Sequence, residues 1–257
     1  MLNKLKDAIE KNQYAVGTFL GAANPSIVEI MGYTGLDFVV IDTEHGPYDT
    51  MPMSDLIQAA ESKGMSPLVR IADLTHKEMQ RALDNGAEGI IIPCLKSLDD
   101  FRKVVDLGKF APLGNRGFIK GRGSGFGNEP WAAGALTEYM QNSNDKVLLL
   151  PQCETKEALD SIEEIVRIEG IDGIFIGPFD LSICMGIPGQ FDAPEFREAV
   201  DRILDACKQA GKLCMTFTTT AEEAKMYIGK GFDAVAISMD TIVFGQAYKA
   251  LVEEIRG

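Results

Sequence analysis

Short apolar runs rich in Val, Ile and Leu recur along the chain, and nearly every one is followed by a turn residue and then a stretch whose apolar positions have helical spacing. Eight runs read as strands, over residues 14–20, 38–42, 67–71, 89–93, 147–153, 173–177, 213–218 and 234–238. The intervening segments predict helices over 25–31, 53–62, 75–85, 98–109, 156–167, 194–210, 221–230 and 241–255. Thr75 precedes Glu78, and Thr220 precedes Glu223, at the spacing of a capping box. Gly86, Gly170, Gly211 and Gly231 stand where a helix ends in a left-handed residue.

Strands that are almost continuously apolar are buried on both faces, and their alternation with helices makes the sheet parallel. Eight such units within 257 residues predict closure into a (β/α)8 TIM barrel, one domain over residues 1–257. An open doubly wound sheet is the competing arrangement, but no GxGxxG fingerprint follows the first run. The rhythm breaks at 110–146, a stretch that is glycine-rich from Gly114 to Gly127 and contains the only tryptophan, Trp131. Connections of that length usually serve function or contact. Without a GKS or GKT ending, and with no strand directly before it, the stretch reads as a mobile or subunit-bridging loop rather than a nucleotide site.

Composition narrows the partners. Hydrophobic residues make up 46% and charged residues 25%, the balance of a globular protein with ample core material. The net charge of −13 disfavours nucleic acid and anionic membranes. Five cysteines, odd in number and lacking a CxxC pair, read as reduced and mainly buried thiols. No signal-peptide pattern opens the chain and no run approaches the length of a membrane span, so a cytoplasmic enzyme is expected.

A barrel of this kind assembles its active site at the C-terminal ends of the strands. The second run ends Ile41-Asp42-Thr43-Glu44-His45-Gly46-Pro47, placing an acid at the rim and a histidine just beyond it, where a general base belongs. His76, the only other histidine, falls in the first turn of a helix and reads as solvated or locally paired. The third run ends at Arg70-Ile71, and an arginine there can donate paired hydrogen bonds to a carboxylate or an enolate oxygen, or can serve a structural rim ion pair. In the fifth run Gln152 and Glu154 project to one side by the two-residue period. The sixth continues through Gly177-Pro178-Phe179-Asp180. Glu154 and Asp180 lie one βα unit apart, so two carboxylates from neighbouring strands can ligate a hard cation, leaving most positions to water and substrate. Without a cation, one of them would take a proton and the two would form an acid/base pair.

With these residues in view, the chain resembles the HpcH/HpaI family of metal-dependent (class II) aldolases. The likeness runs over almost the whole chain and is most specific at Asp42 to Pro47, Arg70, Gly114 to Gly117, Gln152 to Glu154, and Gly170 to Ser182. The resemblance implies an aldehyde-lyase in which Glu154 and Asp180 bind the metal and His45 is the base, oriented by Asp42 and supported by Asp84. It implies further that Arg70 polarises the substrate, with Gln152 beside it, and that backbone amides near Gly177, Phe179 and Asp180 hold the substrate carboxylate. Mg2+ or Mn2+ is the implied cofactor, with Co2+ or Zn2+ as substitutes and no organic cofactor. The implied substrates are pyruvate and an aldehyde, and the implied assembly is a homo-oligomer, a hexamer with a C-terminal helix exchanged between subunits. Phe179 is bulkier than the small residue often found at that position, a departure that bears on which aldehyde is used.

The expected reaction is reversible cleavage of a 4-hydroxy-2-oxo acid through an enolate, with His45 moving the proton of the C4 hydroxyl. A Schiff-base aldolase would need a lysine in the lumen, whereas Lys96 falls in a loop and Lys146 on the opposite rim. An acyl-CoA lyase of the citryl- or malyl-CoA type would use the same strand ends on a thioester. A non-catalytic metabolite-binding barrel would have no need of a base beside a cation.

Overall fold

The computed structural model describes residues 3–47 and 50–257. Eight parallel strands close in sequence order into a barrel: β1 (Ala15–Leu20), β2 (Phe38–Asp42), β3 (Ser66–Arg70), β4 (Gly89–Ile92), β5 (Leu148–Cys153), β6 (Gly173–Ile176), β7 (Leu213–Thr218) and β8 (Ala234–Met239), with β8 pairing back onto β1. The chain is a (β/α)8 TIM barrel. Its helices are α1 (Lys4–Asn12), α2 (Pro25–Gly32), α3 (Thr50–Ser62), α4 (His76–Asn85), α5 (Leu98–Gly108), α6 (Leu136–Lys146), α7 (Lys156–Asp160), α8 (Ile162–Ile165), α9 (Pro178–Cys184), α10 (Pro194–Ala210), α11 (Ala221–Lys230) and α12 (Asp240–Arg256).

The two-residue period of each strand sorts the apolar residues into two cores. Phe19, Phe38, Val40, Leu68, Ile91, Leu148, Leu150, Phe175 and Met215 fill the lumen. Val39, Ile41, Val69, Ile90, Ile92, Leu149, Ile174 and Ile176 point outward and pack under the helices. Burial on both faces explains why the strands read as unbroken apolar runs.

The N-terminal mouth is plugged. Asn3 caps α1 by accepting from the Lys6 amide at 3.1 Å, and Leu5 of that helix joins the lumen core. The Asn3 amide group donates to the carbonyls of Glu88 and Lys146 at 2.9 and 2.7 Å, stitching the plug to the rim. Two buried charges hold the same end. Glu88 accepts from the Lys4 amide and the Ser66 hydroxyl and pairs with Lys146 at 3.2 Å. Lys109 donates to the carbonyls of Asn144 and Val147 and pairs with Asp172 at 2.8 Å. Burial pushes the Lys109 pKa down, and the Asp172 carboxylate opposes that shift.

Helix starts and stops follow the sequence signals. The Thr220 hydroxyl accepts from the Glu223 amide while the Glu223 carboxylate returns to the Thr220 amide. At Thr75 only the first half of the box forms. Gly86, Gly211 and Gly231 end their helices at φ of 106°, 64° and 95°.

Several expectations are corrected. The helix predicted over 156–167 is two short helices, interrupted at Ser161 (φ −109°, ψ 15°). The stretch 110–146 contains two 3-10 turns and α6, and it packs on itself through Phe110, Tyr139, Ala132 and Trp131. Arg116 in that stretch is buried, stacks 4.8 Å over Phe110 and pairs with Asp84 at 3.0 Å. The cysteines are as expected: all five are free, Cys153, Cys207 and Cys214 are buried, and only Cys94 is exposed. Among the described residues no helix is long and apolar enough to cross a membrane.

Candidate active site

At the C-terminal mouth the inward series of each strand turns polar. In β2 it runs Phe38, Val40, Asp42; in β3 Leu68, Arg70; in β5 Leu148, Leu150, Gln152, with Glu154 one further period on. All four polar residues are buried. They converge because the strands are in register, Asp42 pairing directly with Arg70 across β2 and β3.

Asp42 grips Arg70 with both oxygens: Nε donates to Oδ1 at 2.9 Å and Nη2 to Oδ2 at 2.6 Å. The remaining guanidinium nitrogen, Nη1, lies 3.2 Å from Glu44, and the plane sits 5.0 Å over the Phe19 ring. Burial works against the Arg70 charge, but the hydrogen bond to Asp42 and the charges of Asp42, Glu44 and Glu154 outweigh it and raise the pKa. The result is a cation held in one orientation.

Glu154, 5% exposed, is held from two sides. The Cys94 amide donates to Oε1 at 2.7 Å, and the Gln152 side-chain amide donates to Oε2. Cys94 sits just past β4 with φ of 58°, a backbone state that L-residues seldom adopt and that aims its N–H at the carboxylate. Burial pushes the Glu154 pKa up; the Cys94 hydrogen bond opposes this, while the charges of Asp180 and Glu44 add to it. Burial likewise raises Glu44, with Arg70 and His45 opposing and Asp42 and Asp180 adding to the rise. Asp180 thus acts as a like charge on both Glu44 and Glu154, beside one guanidinium.

Gly177 completes the cradle. A Cβ there would lie 2.6 Å from the Gln152 amide nitrogen and 2.7 Å from Glu154 Oε2, so any larger residue must push one of those side-chain ends aside. The buried Gln152 carbonyl oxygen has no hydrogen-bond partner. Hard carboxylate oxygens, mutual repulsion among them and an orphaned polar atom alongside are a donor set that suits a hard divalent cation. Among the described residues no three or more His, Cys, Asp or Glu side chains group into a metal cage, so any cation held by Glu154 and Asp180 keeps most positions open.

Three expected placements are corrected. Asp180 is not on a strand: β6 ends at Ile176 and Asp180 is in the first turn of α9, exposed at the mouth. Asp42 accepts from the His45 backbone amide at 3.4 Å and holds Arg70 with both oxygens, rather than being placed by the His45 ring. The His45 side chain, 69% exposed, has Glu44 at 3.8 Å instead. Asp84 lies in the last turn of α4, which returns toward the N-terminal end of the barrel, where it pairs with Arg116 and accepts from Gln80 at 2.7 Å. Within this chain it does not support His45. Glu44 and Cys94 are the neighbours that strand-end reasoning misses; Glu44 stands inside the Asp42 to Pro47 motif, whereas nothing in the sequence signals the Cys94 amide. His76 is exposed on α4, Lys96 is exposed before α5, and Lys146 is engaged with Glu88 at the far rim.

A barrel whose lumen is apolar up to a cluster of restrained charges at its C-terminal mouth is the frame of a metabolic enzyme, and comparison with known proteins says of which kind. Residues 15–247 match the model of the HpcH/HpaI aldolase/citrate lyase family. A 4-hydroxy-2-oxo-heptane-1,7-dioate aldolase of Salmonella dublin is 32% identical, the match covering 98% of this chain and 94% of that one. A 2-keto-3-deoxy-L-rhamnonate aldolase of Escherichia coli is 30% identical over 96% of this chain and 91% of its own. The crystal structure of an HpcH/HpaI aldolase from Desulfitobacterium hafniense superposes with a TM-score of 0.89 at 31% identity, covering 98% of this chain and 96% of that chain. The chain belongs to the HpcH/HpaI aldolase/citrate lyase family and is an enzyme of the aldolase type, a carbon–carbon lyase.

Gly177→Ala is expected to cost at least roughly tenfold in aldolase turnover, about 1.4 kcal/mol, because it must push Glu154 or Gln152 aside. Turnover equal to wild type would show that the crowding at Gly177 is irrelevant to the chemistry.

Proposed function

We propose that the protein catalyses reversible, divalent-metal-dependent retro-aldol cleavage of a 4-hydroxy-2-oxo acid to pyruvate and an aldehyde. The reading is carried by one observation: Arg70, locked by Asp42, faces Glu154 and Glu44 at the mouth, with Asp180 close enough to bias both acids. Glu154 and Asp180 are the residues to hold the cation, Mg2+ or Mn2+ by their oxygen donors, and the ion's charge would supply Lewis-acid stabilisation of the enolate. The Cys94 amide and Gln152 fix the Glu154 carboxylate so that its direction is set before any ligand arrives.

Arg70 has the charge and position to neutralise an enolate oxygen, a preorganised contact that costs no rearrangement during reaction. The amides of Gly177, Phe179 and Asp180, at the turn into α9, would receive the carboxylate of the oxo acid. In cleavage the C4 hydroxyl gives its proton to His45, the C3–C4 bond breaks to release the aldehyde, and its electron pair passes to the enolate of pyruvate. The enolate is then protonated at carbon. Condensation reverses each step. His45 is exposed enough to reach a ligand directly or through one water.

Asp84 can support His45 only from a second copy of the chain, since its own helix carries it to the other end of the barrel. A homo-oligomer also accounts for α12, which bares Ile242, Val243, Phe244, Tyr248, Leu251 and Ile255. An amphipathic helix left this apolar is normally covered.

Two measurements test the reading. Chelator-stripped protein incubated with pyruvate in D2O is expected to lose the methyl NMR signal only when a divalent ion is restored. Glu154→Gln, Asp180→Asn and Arg70→Ala should each slow that exchange at least about tenfold, or 1.4 kcal/mol; undiminished exchange in Glu154→Gln contradicts the assignment. Sedimentation velocity is expected to show an oligomer that Phe244→Asp dissociates, and a wild-type monomer at micromolar concentration would sink the shared-site part.

A further inference from the structure

The cleavage proposed for the mouth moves two protons, one off the C4 hydroxyl and one onto C3, and His45 accounts for the first. The group that serves the carbon is to be sought among the acids beside Arg70. Asp42 spends both oxygens on the guanidinium. Glu154 has Oε1 held by the Cys94 amide and Oε2 by Gln152, and with Asp180 it is the residue to hold the cation. Glu44 is left. Its Oε2 lies 3.2 Å from Arg70 Nη1 and 3.8 Å from His45 Nε2. Among the described residues its Oε1 has no hydrogen-bond donor nearer than the Cys94 thiol, a weak one at 4.0 Å.

The turn that leaves β2 fixes Glu44 in place. The Thr43 amide and hydroxyl both donate to the Arg70 carbonyl, at 2.9 and 2.7 Å, and the Glu44 amide donates to Asp42 Oδ1 at 3.2 Å. The side chain, 16% exposed, thus meets solvent and ligand at the guanidinium that is to face the enolate oxygen. The carbon that gains or loses a proton is bonded to the carbon bearing that oxygen, so a carboxylate on the same guanidinium stands beside it. A base fixed next to the reacting atom is what proton transfer at carbon requires. Burial raises the Glu44 pKa against the pull of Arg70 and His45, which makes its carboxylate a stronger base than an exposed one.

We propose that Glu44 is a catalytic residue, the acid and base that serves C3 of the oxo acid. The inference rests on the aldol reading and adds a second proton-transfer group to that same mouth. In condensation Glu44 Oε1 takes a proton from the pyruvate methyl group. The C–H electron pair becomes the enolate double bond, and the carbonyl pair moves onto the oxygen facing Arg70. The enolate carbon then bonds to the aldehyde carbon, and the alkoxide takes its proton from His45. In cleavage His45 takes the hydroxyl proton, the C3–C4 bond breaks, and protonated Glu44 gives its proton to C3. A small approach of the exposed imidazole to Glu44 Oε2, 3.8 Å away, lets the hydroxyl proton replace the one given to carbon, so both groups return to their starting states.

The test follows exchange of the pyruvate methyl protons in D2O, without aldehyde, in enzyme loaded with the divalent ion that gives the fastest wild-type exchange. Glu44→Gln, which keeps the shape and removes the base, is expected to slow exchange at saturating pyruvate by at least about a hundredfold. KM for pyruvate and the Kd for Mn2+, read by electron paramagnetic resonance, should stay within about threefold of wild type, which also shows that the variant is folded. Glu44→Asp, which keeps a carboxylate, should exchange at least about tenfold faster than Glu44→Gln. A smaller fall in Glu44→Gln, as expected if His45 alone serves both protons, overturns the inference. So do equal rates in the two variants, or a loss of Mn2+ binding large enough to account for the fall, which would make Glu44 a counter-ion and no base. Absence of wild-type exchange with every divalent ion defeats the aldol reading and this inference with it, whereas wild-type exchange that Glu44→Gln retains defeats this inference alone.

Discussion

Arg70 and Asp42 face each other across two paired strands, and their double hydrogen bond puts one immovable positive charge at the centre of the mouth. Around it stand Glu44 and Glu154, whose ionisation burial disfavours and the nearby charge of Asp180 disfavours further. One guanidinium, already matched by Asp42, does not balance three further carboxylates at the mouth. That imbalance is the physical reason for expecting a divalent cation, and under the proposed function the cation together with Arg70, rather than the field of a chain with a net charge of −13, would attract an anionic oxo acid.

The barrel divides its labour between its two ends. The N-terminal end is closed by α1 and stitched by Asn3, Glu88, Lys146, Lys109 and Asp172, polar groups that satisfy one another. At the C-terminal end the polar groups are held in place but keep unspent capacity, as in the free carbonyl of Gln152 and the repelling acids. Stability resides in the first set and chemistry in the second, the separation typical of this fold.

Much of this is legible in the sequence. The eight strands come through because residues buried on both faces must be apolar without interruption, and the two-residue period tells which of Asp42, Arg70, Gln152 and Glu154 point inward. Other parts are not legible. Only Leu5 of α1 is buried, so its sequence looks like polar chain and its order comes from docking on the rim. Helix α6 has the same character, and α9 is too short for a period to show. Asp180 consequently passes for a strand residue. The grip of the Cys94 amide on Glu154 and the space denied at Gly177 are properties of backbone placement, to which side-chain pattern is blind. Asp84 misleads for another reason: its place in the sequence does not show that α4 carries it to the N-terminal end, where it pairs with Arg116.

The relatives share about 30% identity with this chain while being named for two different oxo acids. Under the proposed function, two such substrates would share the enolate half-reaction and differ in the aldehyde, and the shared half would depend on a cation at one spot. Crystals soaked with Mn2+ and measured at the manganese absorption edge test it most directly: an anomalous peak between the Glu154 and Asp180 carboxylates is the expected result. A peak elsewhere in the barrel with none at that position would contradict it.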